Sequence, residues 1–124
     1  MIKIAVFGNR SIVNREDVVY KFIDYLTSTD GPVVLLHGGA EGPAKLITDW
    51  AEEVGNISSV LFKPWTMIWS KLDFEPIYFY LRNKQIVENA DKVVVFTNGE
   101  RDSEVYRVIN LCERWDKDLT IIEV

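Results

Sequence analysis

Short apolar runs alternate with helical patterns along the chain, and this alternation constrains the fold more than any other feature. The apolar runs are rich in Val and Ile, which is typical of strands buried on both faces. Between them, apolar residues recur every three or four positions, which predicts helices with one packed face. A β-α-β-α-β-α-β-α-β order with short connections favours a parallel sheet with helices on both faces. The sequence therefore predicts a single α/β domain over residues 1–124.

Turn residues and capping residues set the boundaries of these elements. The predicted strands are Ile2–Phe7, Val33–Leu36, Ser58–Phe62, Lys92–Phe96 and Leu119–Ile122. The predicted helices begin near Asn14, at Pro43, at Pro76 and near Asp102 or Ser103. Gly55 is well placed to end the second helix, because a glycine tolerates the left-handed conformation found there. The segment Lys63–Glu75 has no regular pattern and contains Trp65, Trp69 and Phe74.

Composition excludes several classes of function. With 48% hydrophobic residues, the chain can bury a core without disulfides or metal. The net charge of −5 argues against a general nucleic-acid binder. One His and one Cys rule out a multi-His zinc site and an internal disulfide, so no metal is expected. Because the N-terminus has no signal-peptide layout and no apolar run is long enough to span a bilayer, we expect a cytoplasmic protein without membrane contact.

Glycine-containing polar turns follow three of the predicted strands. They contain Gly8, Asn9, Arg10 and Ser11; His37, Gly38, Gly39, Ala40, Glu41 and Gly42; and Thr97, Asn98, Gly99 and Ser103. In a parallel sheet such turns meet beyond the carboxyl ends of the strands, where ligands bind. Glycines let a ligand approach the backbone closely, and the following helix favours an anion. The pattern predicts a phosphate or nucleotide site; the alternative is a set of plain tight connections.

Several side chains near these turns have two interpretations each. Arg10 is either a bidentate phosphate ligand or a solvated loop arginine, and Arg82 either reaches the same edge or lies on a helix surface. His37 fits a satisfied turn histidine better than a catalyst. Trp65 stacks on a ligand ring, or it belongs to the core or to a dimer contact. The run Tyr78–Tyr80 is apolar on more than one helical face, which suggests a partner surface.

Together these motifs resemble the SLOG superfamily, closest to its YspA-like branch. The resemblance lies in the following stretches: Ile4–Arg10, His37–Ala40 with Gly42 and then Trp50-Ala51, Trp69 with Lys71, Pro76 with Arg82-Asn83, and Phe96–Gly99 leading to Ser103. It implies a Rossmann-like three-layer α/β/α fold with a five-stranded parallel sheet in the order 3-2-1-4-5. It also implies a nucleotide-derived ligand across the first and fourth strand ends, contacted among others by Asn83. Some members hydrolyse N-glycosidic or phosphoribosyl bonds, and others sense nucleotide signals, including in anti-phage defence.

The chain departs from the family pattern at two turns. Glu41 replaces an Arg, Pro43-Ala44 replaces Ala-Asp, and the fourth turn loses two glycines and gains two acids. These changes favour binding over catalysis.

Three functions remain as hypotheses. The first is a sensor or sequestering module for a nucleotide-like ligand, with no other cofactor assigned. The second is a phosphoribohydrolase or other N-glycosidase of the LOG type, in which Arg82 holds the phosphate and Glu104 stabilises the oxocarbenium ion or positions water. The third is an oligomeric interaction protein with a decayed pocket, acting through Trp65–Tyr80. A homodimer or higher homo-oligomer is expected under all three.

Overall fold

A computed structural model of the protein describes residues 1–62 and 75–124, with residues 75–79 described by their backbone alone. In these residues, five strands alternate with four helices. In chain order they are β1 (Ile2–Gly8), α1 (Arg15–Leu26), β2 (Val33–His37), α2 (Pro43–Val54), β3 (Ser58–Leu61), α3 (Glu75–Asn89), β4 (Lys92–Thr97), α4 (Ser103–Arg114) and β5 (Asp118–Glu123). The predicted alternation is confirmed. The C-terminal end of each strand, and the first residue of β5, differ from the prediction by one residue.

The strands form one sheet in the order β3-β2-β1-β4-β5, with parallel pairing between all neighbours. β1 lies at the centre, with Ile4 opposite Leu35 of β2 and Gly8 opposite Phe96 of β4. The strand order reverses between β1 and β4, so the carboxyl ends of these strands form the switch point of the sheet. The predicted three-layer Rossmann-like fold and its strand order are confirmed.

Two buried clusters lie on opposite faces of the sheet. Alternate residues of β1 point into different clusters, because side chains alternate across a strand. Ile4 and Val6 pack with residues of α1 and α2, whereas Ala5 and Phe7 pack with residues of α3 and α4. Each face of the sheet is thereby covered by two helices, which is why the central strands read as continuous apolar runs.

Local signals explain where the helices begin and end. Asn14 caps α1 by accepting a hydrogen bond from the backbone N–H of Asp17 at 3.2 Å. α2 begins at Pro43 and is followed by Gly55 with φ 84°, the left-handed conformation expected at this end. Asp102, one of the two predicted caps, accepts from the first turn of α4.

No helix in residues 1–62 or 75–124 has the length and apolar character needed to cross a membrane.

Candidate functional site

The loops after β1, β2 and β4 meet at the carboxyl edge of the sheet. The backbone N–H of Asn9, just beyond β1, donates to the carbonyl of Phe96 in β4 at 3.1 Å. On the other side, a Cβ added to Gly42 would lie 2.8 Å from the carbonyl oxygen of Asn9. Gly42 also has φ 103°, so a side chain there is disfavoured both by space and by backbone conformation. The first loop is therefore held directly between the other two.

Arg82 of α3 lies beneath the glycine turn that follows β2. Its side chain is 3% exposed, and its Nη1 donates to the carbonyl of Gly38 at 3.1 Å. Its Nε donates to Oδ1 of Asn83 at 3.1 Å, and its Nη2 lies 3.4 Å from Glu104. Burial lowers the pKa of Arg82, and the nearby Glu104 carboxylate opposes that shift. A positive charge is thus fixed in the protein at the end of β2.

Glu104, in the first turn of α4, joins α3 to the first loop. Its Oε1 accepts a hydrogen bond from Nδ2 of Asn83 at 2.9 Å and faces Arg82. Its Oε2 lies 3.3 Å from Nη2 of Arg10, whose side chain is 58% exposed. One carboxylate is therefore shared between a buried guanidinium and an exposed one. The sequence predicted that both arginines lie at this edge and that Glu104 acts with Arg82, but it did not predict that one carboxylate is shared between the two arginines.

His37 ends β2 and is 8% exposed. Its Nδ1 accepts a hydrogen bond from the backbone N–H of Gly39 at 3.1 Å. Burial lowers the pKa of His37, and the positive charges of Arg82 and Lys45 lower it further. Both effects favour the neutral imidazole, and the bond at Nδ1 stabilises the glycine turn.

Five backbone N–H groups between the end of β4 and the first turn of α4 donate to side-chain oxygens of the protein itself. The donor–acceptor pairs are Asn98 N with Oδ1 of Asn9 (3.1 Å), Gly99 N with Oγ1 of Thr97 (3.2 Å), Glu100 N with Oδ1 of Asn98 (3.1 Å), and Glu104 N and Val105 N with Oδ1 of Asp102 (2.9 and 3.3 Å). A ligand that used these donors would have to displace those oxygens. By contrast, α2 begins at Gly42 with no side chain accepting a hydrogen bond at its start.

A side-chain network also bridges the first loop, which follows β1, and the fourth loop, which follows β4. Asn9 is 2% exposed, and its Nδ2 donates to the carbonyl of Glu100 at 3.4 Å. Ser11 accepts from Nδ2 of Asn98 and donates to Glu100 Oε2, both at 2.8 Å. These contacts cross the switch point between β1 and β4, and they explain why a buried asparagine follows β1.

A cavity of about 160 Å³ lies between α3 and α4, next to Glu104. It is lined by Tyr80, Asn83, Ser103, Glu104, Arg107, Val108 and Leu111. Ser103, the first residue of α4, is among these lining residues. The sequence analysis did not assign Arg107 or Leu111 to a site, although their spacing of four residues from Ser103 onwards marks one face of α4.

The other predicted site residues are placed as follows. Gly8 ends β1, Gly39 with φ 73° is exposed in the turn after β2, and Ala40 beside it is half-buried. Trp65 lies outside the described residues, as do Trp69, Phe74 and the side chain of Tyr78. Across residues 1–62 and 75–124, no group of three His, Cys, Asp or Glu side chains is arranged to hold a metal ion.

No protein-family model matches the chain, and no curated protein matches it.

Proposed function

We propose that the protein binds a phosphorylated, nucleotide-like small molecule at the carboxyl edge of its sheet and acts as a sensor or sequestering module. The observation that carries this proposal is the sharing of Glu104 by Arg10 and Arg82 beside the glycine turn after β2. Arg82 supplies a fixed positive charge. Arg10 supplies an exposed guanidinium that can turn from Glu104 to a ligand.

The energetics of the two ion pairs favour such an exchange at Arg10. A solvent-exposed pair contributes only about 0–1 kcal/mol, and the Arg10 side chain is 58% exposed at a single 3.3 Å contact. A guanidinium and a phosphate form two parallel hydrogen bonds, which are stronger than that contact. Binding of a phosphate monoester by Arg10 therefore costs little within the protein and gains a charge-assisted pair.

The glycine turn supports the same site. Gly38 and Gly39 bring backbone close to the position above β2, and α2 begins there without a side-chain cap. The positive end of a helix dipole favours a phosphate group by about 0.3–1 kcal/mol at an exposed position. Since five of the N–H groups after β4 are engaged by the protein's own oxygens, the proposed ligand lies on the β1–β2 side of the edge.

Calorimetric titration tests the proposal with AMP, NAD, ADP-ribose, cyclic nucleotides and inorganic phosphate. We expect at least one of them to bind, and we expect Arg10→Ala to weaken its affinity tenfold or more. Arg114→Ala, an exposed arginine in the last turn of α4, is the matched control and should bind like the unmodified protein. Failure of every ligand to bind, or equal affinity in Arg10→Ala, contradicts the proposal.

A second candidate function is hydrolysis of an N-glycosidic bond in such a ligand. The observation that favours it is the fixed orientation of the Glu104 carboxylate, which accepts from Asn83 at 2.9 Å and lines the 160 Å³ cavity while remaining 29% exposed. A carboxylate held in this way can stabilise the positive charge that develops on a ribosyl ring, or it can position the attacking water.

Release of free base from AMP or NAD, followed by chromatography, tests this second function. We expect Glu104→Gln to lower the rate by a factor of a hundred or more, because the neutral amide removes the charge while keeping the shape. An unchanged rate in Glu104→Gln would remove that residue from the mechanism. Absence of base release from all substrates, with binding intact, would leave the sensor function alone.

A further inference from the structure

Within residues 1–62 and 75–124, one ring nitrogen of His37 has a hydrogen-bond partner and the other has none. Nδ1 accepts from the Gly39 N–H at 3.1 Å. A neutral imidazole that accepts at one nitrogen carries its hydrogen on the other, so the ring is fixed as the Nε2–H tautomer. In the part of the chain that the structure describes, no acceptor makes a hydrogen bond with Nε2. His37 is 8% exposed, and its Nε2 is not among the side-chain atoms that are both buried and unpartnered, so this donor is within reach of a group from outside.

The surroundings keep this donor uncharged. A second proton on the ring would break the bond from Gly39 and place a cation near Arg82 and Lys45. Burial, which is the largest cause, and the positive charges of Arg82 and Lys45 lower the pKa of His37. Arg82 also contacts the carbonyl of Gly38, the next residue after His37, so the imidazole and the buried guanidinium belong to the same turn.

We propose that the Nε2–H of His37 donates a hydrogen bond to an oxygen of the ligand's phosphoryl group. This inference rests on the proposed function and extends it to a further binding residue. A neutral donor near the positive charges of Arg82 and Lys45 adds direction without adding charge. A ligand that presents an N–H or O–H donor at that position leaves two donors facing each other, and a buried unsatisfied donor is costly. The site therefore selects an acceptor at this position, such as the phosphoryl oxygen of a phosphate ester.

Nuclear magnetic resonance of the imidazole nitrogens tests the inference directly. His37 is the single histidine of the chain, so in uniformly ¹⁵N-labelled protein the imidazole signals belong to this ring alone, and the same sample reports the backbone amides and the Arg10 side chain. At pH 7.5 we expect a protonated Nε2 and an unprotonated Nδ1. Addition of inorganic phosphate, or of AMP, should shift the Nε2 resonance while Nδ1 keeps its bond to Gly39. Sodium chloride at equal ionic strength is the control for salt effects and should shift neither nitrogen.

Three results overturn the inference, and they are distinguishable. A proton on Nδ1 in the free protein removes the donor. Shifts of the Gly38–Gly42 amides with no change at Nε2 exclude His37 and leave the proposed site intact. No shift with either probe at the imidazole, the Arg10 side chain or these amides contradicts both proposals.

A pair of substitutions separates the two ring nitrogens. In His37→Asn the side-chain oxygen takes the place of Nδ1, so the turn keeps its acceptor while the distal donor is lost. In His37→Gln an amide N–H takes the place of Nε2. We expect His37→Asn to keep its melting temperature but to bind the probe at least fivefold more weakly, with part of the affinity restored in His37→Gln. Equal affinity in His37→Asn and the unmodified protein would overturn the inference.

Discussion

Gly38 is the position where one added methyl group tests the arrangement of the site. Its φ lies outside the positive range, so the backbone itself accepts alanine. A Cβ there would lie 2.5 Å from Cζ of Arg82 and 2.6 Å from its Nε. To restore ordinary contact the guanidinium must retreat by about 0.9 Å, and its 3.1 Å bond to the Gly38 carbonyl would be lost. We therefore expect Gly38→Ala to destabilise the protein through Arg82.

The magnitude follows from the contacts that Arg82 makes. A hydrogen bond to a charged group contributes about 1.5–3 kcal/mol, and overpacking a buried position costs about 1–3 kcal/mol. Alanine restricts the unfolded chain more than glycine does, and this effect stabilises the folded protein by about 0.4–1 kcal/mol. The free energy of unfolding should fall by about 2–5 kcal/mol. For 124 residues, with an unfolding entropy of roughly 2.1 cal/mol/K per residue, this lowers the melting temperature by roughly 8–20 °C.

Urea denaturation of Gly38→Ala, Arg82→Ala and the double variant measures the effect and its cause. If the clash with Arg82 is responsible, alanine at position 38 costs less than about 1 kcal/mol in the Arg82→Ala background, because residues in direct contact do not contribute additively. The reasoning is refuted if Gly38→Ala is as stable as the unmodified protein, or if alanine costs the same in both backgrounds.

Two further predictions concern titrating groups of the core and the site. Burial raises the pKa of the Cys112 thiol to about 11, which lowers the fraction of reactive thiolate at pH 8. A thiol reagent should therefore modify the native protein at least about a hundredfold more slowly than the denatured chain. Similar rates would show that Cys112 is accessible. Because the pKa of His37 is lower in the folded than in the unfolded state, the unfolded state binds more protons near pH 6 and stability rises with pH. The contribution of His37 is complete above the unfolded pKa of about 6.5 and is lost as the pH falls through the folded value. Urea denaturation between pH 5 and 8 should show this loss relative to His37→Asn, and parallel pH curves for the two proteins would contradict it.

The elements of the fold were predictable because their signals are local. α2 begins at Pro43 and ends at Val54 as the sequence predicts, since Pro and Gly55 restrict the backbone at those points. The order of the strands could not be predicted from local signals, because strands adjacent in the sheet are distant in the chain. The pattern of apolar runs gave only a parallel sheet, and the order 3-2-1-4-5 came from the family resemblance.

The candidate site was predictable only in part, and the reason is physical. Strand ends of a parallel sheet meet at one edge, so the three turns were expected together. Which side chain bonds to which backbone group depends on loop geometry, and the spacing of hydrophobic residues does not predict loop geometry. Asn9 illustrates the difference: it was predicted to contact a ligand, yet its amide accepts from Asn98 N at 3.1 Å and donates to Glu100 O. It acts first as a bridge between loops.

The same geometry bears on three acidic residues that follow β4, namely Glu100 and Asp102 of the loop and Glu104 in the first turn of α4. Each of the three has a partner within the described residues. Asp102 accepts from two N–H groups at the start of α4, and Glu100 accepts from Ser11 at 2.8 Å. Glu104 lies between Arg10 and Arg82. A carboxylate held by donors repels a neighbouring phosphate less than a bare one does, because the donors place positive charge between the two anions. Under the proposed function, these acidic residues therefore set the side from which the ligand binds: the phosphate meets Arg10 and the turn after β2, where it does not compete with the protein's own oxygens for the five engaged N–H groups beyond β4.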